Sequence, residues 1–481
     1  MHIGRYKVCG LLGRGGMGAV YKVRQPHTGR MAALKLLRPT EELAMLVAED
    51  ELRRRFVREA EVMAALDHPH IAAVWDVDED DRGRPFFVME YYCLNLGLLM
   101  GESYRVEAPT RRLPLERAVN IATQTLDALH RMHHAGVVHR DVKPFNIMID
   151  REGNAKLIDF GLSRLRGERA AGMRGVKVGS PYYAPPEQER APESVDGRAD
   201  IYPVGVMLYR MLTGVLPTDE ALMQGGCIPR VSDYAEDLDE AWDTFFDTAL
   251  AAAPENRFPS ARAMREELQR LTVKWRNHIT AVCHLEVDPP TCSLPDDPPT
   301  ASAALAGEAS TDFLAGAEGA APSAAGHPRL VPVKVGPRHA PHVFGLDALW
   351  RPRNVLRCAL EATQHPTVMH PVTGCMWQRS GSEFPLDWEE AHAYVRELNA
   401  ERFAGYGDWR LPTVADVCTL LQEPPTLGVH CVAPVFDTGA DPLWTCDRRS
   451  FMAAWFVSTS MGFVGWQDMT CRFHVRVVRN T

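Results

Sequence analysis

Apolar and polar residues recur with two different periods along this chain, and the change from one to the other divides it. Tyr6 to Leu12, Ala19 to Arg24 and Met31 to Leu37 are short apolar or alternating runs bounded by Gly, Pro and other turn formers. Such runs predict three strands of a small sheet. From Thr40 to Leu66 the residues are strong helix formers, and Leu115, Val119, Ala122, Leu126 and Leu129 then repeat at spacings of four and three, which puts them on one helical face. Helices are therefore expected to dominate after about residue 114.

Between Val282 and Gly345 both periods vanish, and Pro, Ala, Gly and Ser replace large apolar residues. A segment of that kind cannot offset its own ordering entropy, so residues 278–344 are expected to be a disordered linker. Seven of the ten tryptophans lie from Trp350 onward, which marks a separate aromatic-rich core. Three parts follow: a compact unit over 5–277, the linker over 278–344, and a second compact unit over 345–481. In the last, Asp387 is expected to cap a helix running to Leu398 and Thr413 one running to Leu421, with strands over 453–457 and 473–478.

Composition narrows the function. At 481 residues the chain exceeds one ordinary core, and 46% apolar with 24% charged residues matches folded globular chains. A net charge of −9 argues against nucleic acid or anionic lipid as the main partner. No apolar run is long enough to cross a bilayer and the first residues lack a secretory apolar stretch, so a cytoplasmic location is expected. The 11 cysteines include no Cys-x-x-Cys pair, which points to reduced thiols rather than to a disulfide framework or a zinc ribbon.

Candidate chemistry sits in the first unit. Gly13, Gly15 and Gly18 form G-x-G-x-x-G between two predicted strands. Glycines let backbone amides approach phosphate oxygens, but a dinucleotide fold needs a helix after them and here a strand follows. Lys35, in the apolar run Ala32-Ala33-Leu34-Lys35, needs an anion, which Glu59 on the next helix can supply. His139-Arg140-Asp141-Val142-Lys143-Pro144-Phe145-Asn146 and Asp159-Phe160-Gly161 follow. Asp159 and Asn146 offer oxygen ligands for Mg²⁺, and Asp141 remains free to act as a base. Singly, each has a plain structural reading as a turn glycine or a capping aspartate; together and in this order they supply the parts for phosphoryl transfer.

These motifs resemble those of the eukaryotic-like protein kinases of bacteria, from about Arg5 to Lys274. The resemblance implies ATP and Mg²⁺ as cofactors. It puts Gly13, Gly15 and Gly18 over the phosphates, Lys35 on them and paired with Glu59, Asp141 as base, and Asn146 and Asp159 on Mg²⁺. It also implies an adenine pocket walled by Leu12, Val20, Ala33 and Met148, with Met89 as gatekeeper and Glu90 to Tyr92 as hinge. Lys143 favours Ser/Thr substrates, and Gly179 to Glu187 resembles the segment that positions a protein substrate, with Glu187 pairing with Arg257. Between Arg164 and Val178 there is no Ser, Thr or Tyr, so activity without loop phosphorylation is expected, with Glu168 as the anion for Arg140. A nucleotide-binding pseudokinase scaffold, or a ligand sensor with little transfer activity, is the alternative.

In the second unit Gly374 to Trp377, Trp388 to Ala391, Asp408 to Thr413 and Leu443 to Thr445 resemble the Lcl C-terminal domain, whose fold is related to formylglycine-generating enzymes and C-type lectins. The fold class expected for the whole chain is thus α+β: a bilobal protein-kinase fold, a disordered linker, then a small α+β lectin-like domain. Asp408 and Arg410 are expected to pair internally, and thiol catalysis is not expected there. The role expected for this unit is recognition of an unknown partner or small ligand, from a tether whose roughly 50 residues would span about 40 Å as a random coil.

Overall fold

The computed structural model describes residues 1–102, 106–159, 164–165, 182–190, 194–217, 228–235, 237–285, 331–356, 360–363, 366–422, 431–437 and 439–481. The three predicted strands form as β1 (Tyr6–Arg14), β2 (Gly18–Arg24) and β3 (Met31–Leu37). With His2–Ile3, β4 (Val74–Glu79) and β5 (Pro85–Glu90) they make one antiparallel sheet, ordered His2–Ile3, β1, β2, β3, β5, β4. Its register places Val20 opposite Lys35 and Ala33 opposite Met89. The turn between β1 and β2 requires glycine at one point: a Cβ on Gly18 would stand 2.4 Å from the Leu36 carbonyl oxygen.

The helical stretch expected from Thr40 divides into a short helix, Glu41–Leu46, and α1, Glu49–Ala65. Val47 lies between them in extended backbone and is buried, so the β-branched residue that turns inward also interrupts the helix. α1 buries Leu52, Phe56, Ala60 and Met63 against the sheet and carries Glu59 on that face.

The second lobe is built around α2 (Leu115–His134), whose buried stripe includes Val119, Ala122, Leu126 and Leu129 as their spacing predicts. It packs against α3 (Arg198–Thr213) and α5 (Ala261–Leu285), with α4 (Glu240–Ala249) alongside. α5 runs beyond residue 277. Two short strands, β6 (Ile147–Ile149) and β7 (Ala155–Leu157), pair antiparallel and hold the loops before and after them. Pro203 is the sixth residue of α3, past the first turn, so the amide that would meet the Ala199 carbonyl is missing there.

The C-terminal unit has a four-stranded sheet, ordered Glu361–Ala362, β8 (Thr367–His370), β9 (Cys375–Gln378) and β13 (Val478–Asn480). A three-stranded sheet of β10 (Leu443–Arg448), β11 (Ala453–Ser458) and β12 (Phe463–Asp468) lies beside it. Helix α6 (Trp388–Ala400) starts at an Asp387 and Glu390 capping box, while the helix capped by Thr413 ends at Cys418. Trp377, Trp409, Trp444 and Trp455 are buried, as a Trp-rich core predicts. The strand expected over 473–478 is mostly a connecting segment: Phe473 bridges Leu386 and His474 bridges Leu443, leaving ladder pairing to the last residues. Residues from 331 belong to this unit, since the Val335 amide donates to the Arg448 carbonyl at 2.9 Å and Ala340 is fully buried. The remainder of the expected linker, 286–330, lies outside the described residues.

The two units touch. Lys22 Nζ on β2 donates to Asp468 Oδ1 at 2.9 Å and to Thr470 Oγ1, and lies 4.5 Å from the centre of the Tyr91 ring. Gln467 Nε2 donates to the Cys93 carbonyl, Arg117 donates to Ser460 Oγ at 3.0 Å, and Arg111 donates to the Leu349 carbonyl at 2.7 Å. Cys93 and Cys471 form a disulfide. The expectation of reduced thiols is therefore corrected: the pair is separated by 378 residues, and no local cysteine spacing can signal such a bond. The loose tether is likewise replaced by a docked arrangement.

Candidate active site

The cleft between the lobes collects the residues singled out by their order in the sequence. Lys35 points from β3 toward α1, because strand alternation turns it away from the face that carries Leu34 and Leu36. Its Nζ lies 2.7 Å from Glu59 Oε1 and 2.7 Å from Asp159 Oδ1. Burial would lower the Lys35 ammonium, but Asp159 and Glu59 outweigh it and hold it above its ordinary value. Burial pushes the Glu59 carboxyl up to about 7 against the pull of Lys35.

Across the cleft, Lys143 Nζ lies 2.6 Å from Asp141 Oδ2, and Asn146 Nδ2 donates to the Asp141 carbonyl at 2.8 Å and to its Oδ2 at 3.1 Å. Asn146 is fixed from the other side as well, since its carbonyl accepts from the Ile158 amide. Arg140 and Asp159 both have positive φ, of 70° and 66°. Left-handed backbone at non-glycine residues costs on the order of 1–3 kcal/mol and persists only where neighbours enforce it.

The enforcing group for Arg140 is Asp200, in the first turn of α3. Fully buried, it accepts from the His139 amide at 2.8 Å, the Arg140 amide at 2.7 Å and lies 2.8 Å from His133 Nε2. Burial would raise its carboxyl, but His133, His139 and the Arg140 amide hold it below the usual carboxylate range. Gln188 adds a 2.8 Å bond to the Arg140 carbonyl. The signal available was an aspartate beside the apolar run Ile201-Tyr202-Pro203-Val204, a setting that requires partners.

Of the residues that the resemblance implies for an adenine pocket, Leu12, Val20 and Ala33 lie on β1, β2 and β3, and Met148 lies on β6. Ala33 and Met89 are buried neighbours across β3 and β5, Val20 and Met148 are half-buried, and Leu12 stands exposed at the rim. Tyr92 is buried and donates to Glu90 Oε2 at 2.9 Å. Gly13 and Gly15 have open space where a Cβ would be, so the strand turn is free to meet a ligand. Glu187 and Arg257 form a two-bond ion pair at 2.6 and 2.8 Å, as expected. Phe160, Gly161, Glu168, Ser180 and the segment from Arg166 to Pro181 lie outside the described residues.

Asp408 and Arg410 do not pair. Arg410 forms a two-bond pair with Asp416 at 2.6 and 3.0 Å, and Asp408 holds Arg479 at 2.8 Å, so each side chain is taken by a different partner. Burial pushes the Cys418 thiol up to about 12 and the Cys431 thiol up to about 11, so neither is a thiolate at neutral pH.

The two-lobed first unit thus joins a strand lysine paired with a helix glutamate to a loop in which Lys143 and Asn146 hold Asp141. The protein kinase domain model matches residues 6–268 and the Lcl C-terminal domain model matches 366–479. The chain belongs to the protein kinase family. Its first unit is similar to serine/threonine-protein kinase PksC of Streptomyces coelicolor, 35% identical over 288 residues, covering 57% of this chain and 50% of that protein. It is similar also to pkn3 of Myxococcus xanthus, 33% identical over 284 residues with 55% and 49% covered. PknB of Mycobacterium leprae is 35% identical over 279 residues, with 56% and 43% covered. The chain thus spans about half the length of the curated relatives it matches.

Proposed function

We propose that this protein transfers the γ-phosphate of ATP to serine or threonine hydroxyls of proteins. The observation that carries this reading is the pairing of Lys35 with both Glu59 and Asp159, opposite a loop in which Lys143 and Asn146 both hold Asp141. In this reading Lys35 orients the phosphates, Asp141 accepts the proton of the attacking hydroxyl, and Lys143 neutralises charge on the group in transfer. Leu12, Val20, Ala33 and Met148 enclose the adenine, and Glu90 to Tyr92 present backbone groups to it.

Mg²⁺ would be held by Asp159 and Asn146. Among the described residues no group of three His, Cys, Asp or Glu side chains could cage a metal, which suits an ion that keeps water and phosphate oxygens as most of its ligands. When bound, it would neutralise charge on the transferring phosphate. The named relatives are serine/threonine-protein kinases, and the resemblance of the Asp141 to Asn146 loop gives Lys143 the same preference. Among the described residues no helix is long and apolar enough to cross a membrane. A cytoplasmic location, where ATP is supplied, belongs to this proposal, as does the division into a kinase unit and a C-terminal recognition unit. Phosphoamino-acid analysis of a generic protein incubated with the chain and MgATP tests it: phosphoserine or phosphothreonine is expected, and phosphotyrosine alone or no transfer overturns it.

A further inference from the structure

The C-terminal unit touches the kinase at three places that belong to different mechanical parts. Asp468 and Thr470 reach Lys22 on β2, in the first lobe. Gln467 and Cys471 reach Cys93, which follows directly on the hinge. Ser460 and Leu349 reach Arg117 and Arg111 in the second lobe, where the Arg111 guanidinium also lies 3.8 Å from the centre of the Phe463 ring. Lys22 is only 2% exposed, though a lysine is almost never buried unless paired, and the side chains that accept its hydrogen bonds, Asp468 and Thr470, are in the C-terminal unit. It shares a face of β2 with Val20 and stands opposite Ala33, so the contact adjoins the adenine wall.

We propose that the C-terminal unit is a brace seated across both lobes and the hinge, and that Cys93 and Cys471 are its redox latch. Nucleotide enters and leaves a two-lobed kinase by relative motion of the lobes, and a body fixed to both resists that motion. The latch closes by exchange with a low-molecular-weight disulfide such as oxidised glutathione. One protein thiolate attacks it and releases one glutathione thiolate. The second protein thiolate then attacks the mixed disulfide and releases the other. The two cysteines lose two electrons, the glutathione disulfide gains them, and the two protein protons end on the released thiols. In a reducing compartment such a bond is transient, which makes it a signal rather than a staple.

The nucleotide part of this inference rests on the proposed kinase reading; the brace itself does not. The test uses the full chain, exposed to oxidised glutathione and analysed by mass spectrometry for the peptide linking Cys93 to Cys471. Asp468→Lys should slow formation of that link at least about 10-fold by removing the docked proximity of the thiols. Lys22→Asp in the same chain should restore it, which separates lost docking from lost folding. No link in the wild type, or an equal rate in Asp468→Lys, overturns the brace. Dissociation of a fluorescent ADP analogue should be several-fold slower from the oxidised than from the reduced wild type, and unaffected by oxidant in Cys471→Ser. Link formation with unchanged dissociation overturns the latch. Failure of the analogue to bind in any form refutes the nucleotide reading, and with it the latch's proposed effect, while the link assay still decides the brace.

Discussion

Replacing Asp200 with asparagine tests how the catalytic loop is held. The two carboxylate oxygens accept from the His139 and Arg140 amides at 2.8 and 2.7 Å, and the same group lies 2.8 Å from His133 Nε2. In Asp200→Asn the new side chain would keep one acceptor oxygen and turn an NH₂ donor toward the other amide. The lost charge-assisted bond is worth roughly 1.5–3 kcal/mol, and the amide left buried without an acceptor adds about 1–3 kcal/mol, so a loss of about 3–5 kcal/mol is expected. For a domain of this size that corresponds to a fall in Tm on the order of 10 °C. Because Arg140 has positive φ, the freed loop should also relax, so kcat should fall while the KM for ATP stays near its wild-type value. The carboxyl is held below its unfolded value, so its stabilisation is complete above about pH 4 and is lost as pH falls through the depressed folded value. Wild type and variant should therefore converge in Tm in strong acid. Thermal unfolding across pH with steady-state kinetics measures both effects. A variant within a degree of wild type at neutral pH, with unchanged kcat, would refute this account of Asp200.

Three further outcomes are expected. Glu187→Ala leaves the Arg257 guanidinium buried without its carboxylate and should destabilise the kinase unit by about 3–5 kcal/mol, read by chemical denaturation. Gly18→Ala places a methyl 2.4 Å from the Leu36 carbonyl oxygen, so the turn must shift and ATP affinity measured by calorimetry should drop. Exhaustive phosphatase treatment should leave the initial rate unchanged, since the segment from Arg164 to Val178 carries no hydroxyl residue; a large loss regained on autophosphorylation there would contradict this.

Where information was local, the sequence was legible. The apolar spacing of α2, the glycine turn, and Asp387 and Thr413 as caps follow from residue type and spacing, while the pairing of Glu187 with Arg257 was implied only by the kinase resemblance. The proposed catalytic cluster was readable because its motifs keep a fixed order, although Lys35 and Asp159 are 124 residues apart. Features set by distant packing were not readable. Val47 turns inward and splits a helix that propensity alone would continue. Arg410 pairs with Asp416, six residues further on, where Thr413 and Asp416 form the capping box that presents that carboxylate. The docking of the two units depends on Lys22, Cys93 and Arg111, which have no pattern of their own and gain a role only when residues hundreds of positions later fold against them.

The central claim is that Asp141, held by Lys143 and Asn146, serves transfer of phosphate to protein hydroxyls. Its most direct test is a single-turnover measurement of phosphate transfer from ATP to a protein substrate with Mg²⁺, comparing wild type with Asp141→Asn. Transfer by the wild type is expected, with a fall of around 10²-fold or more in the variant while ATP binding persists. Equal rates in the two proteins, or no transfer by a wild type that binds ATP, would contradict the account.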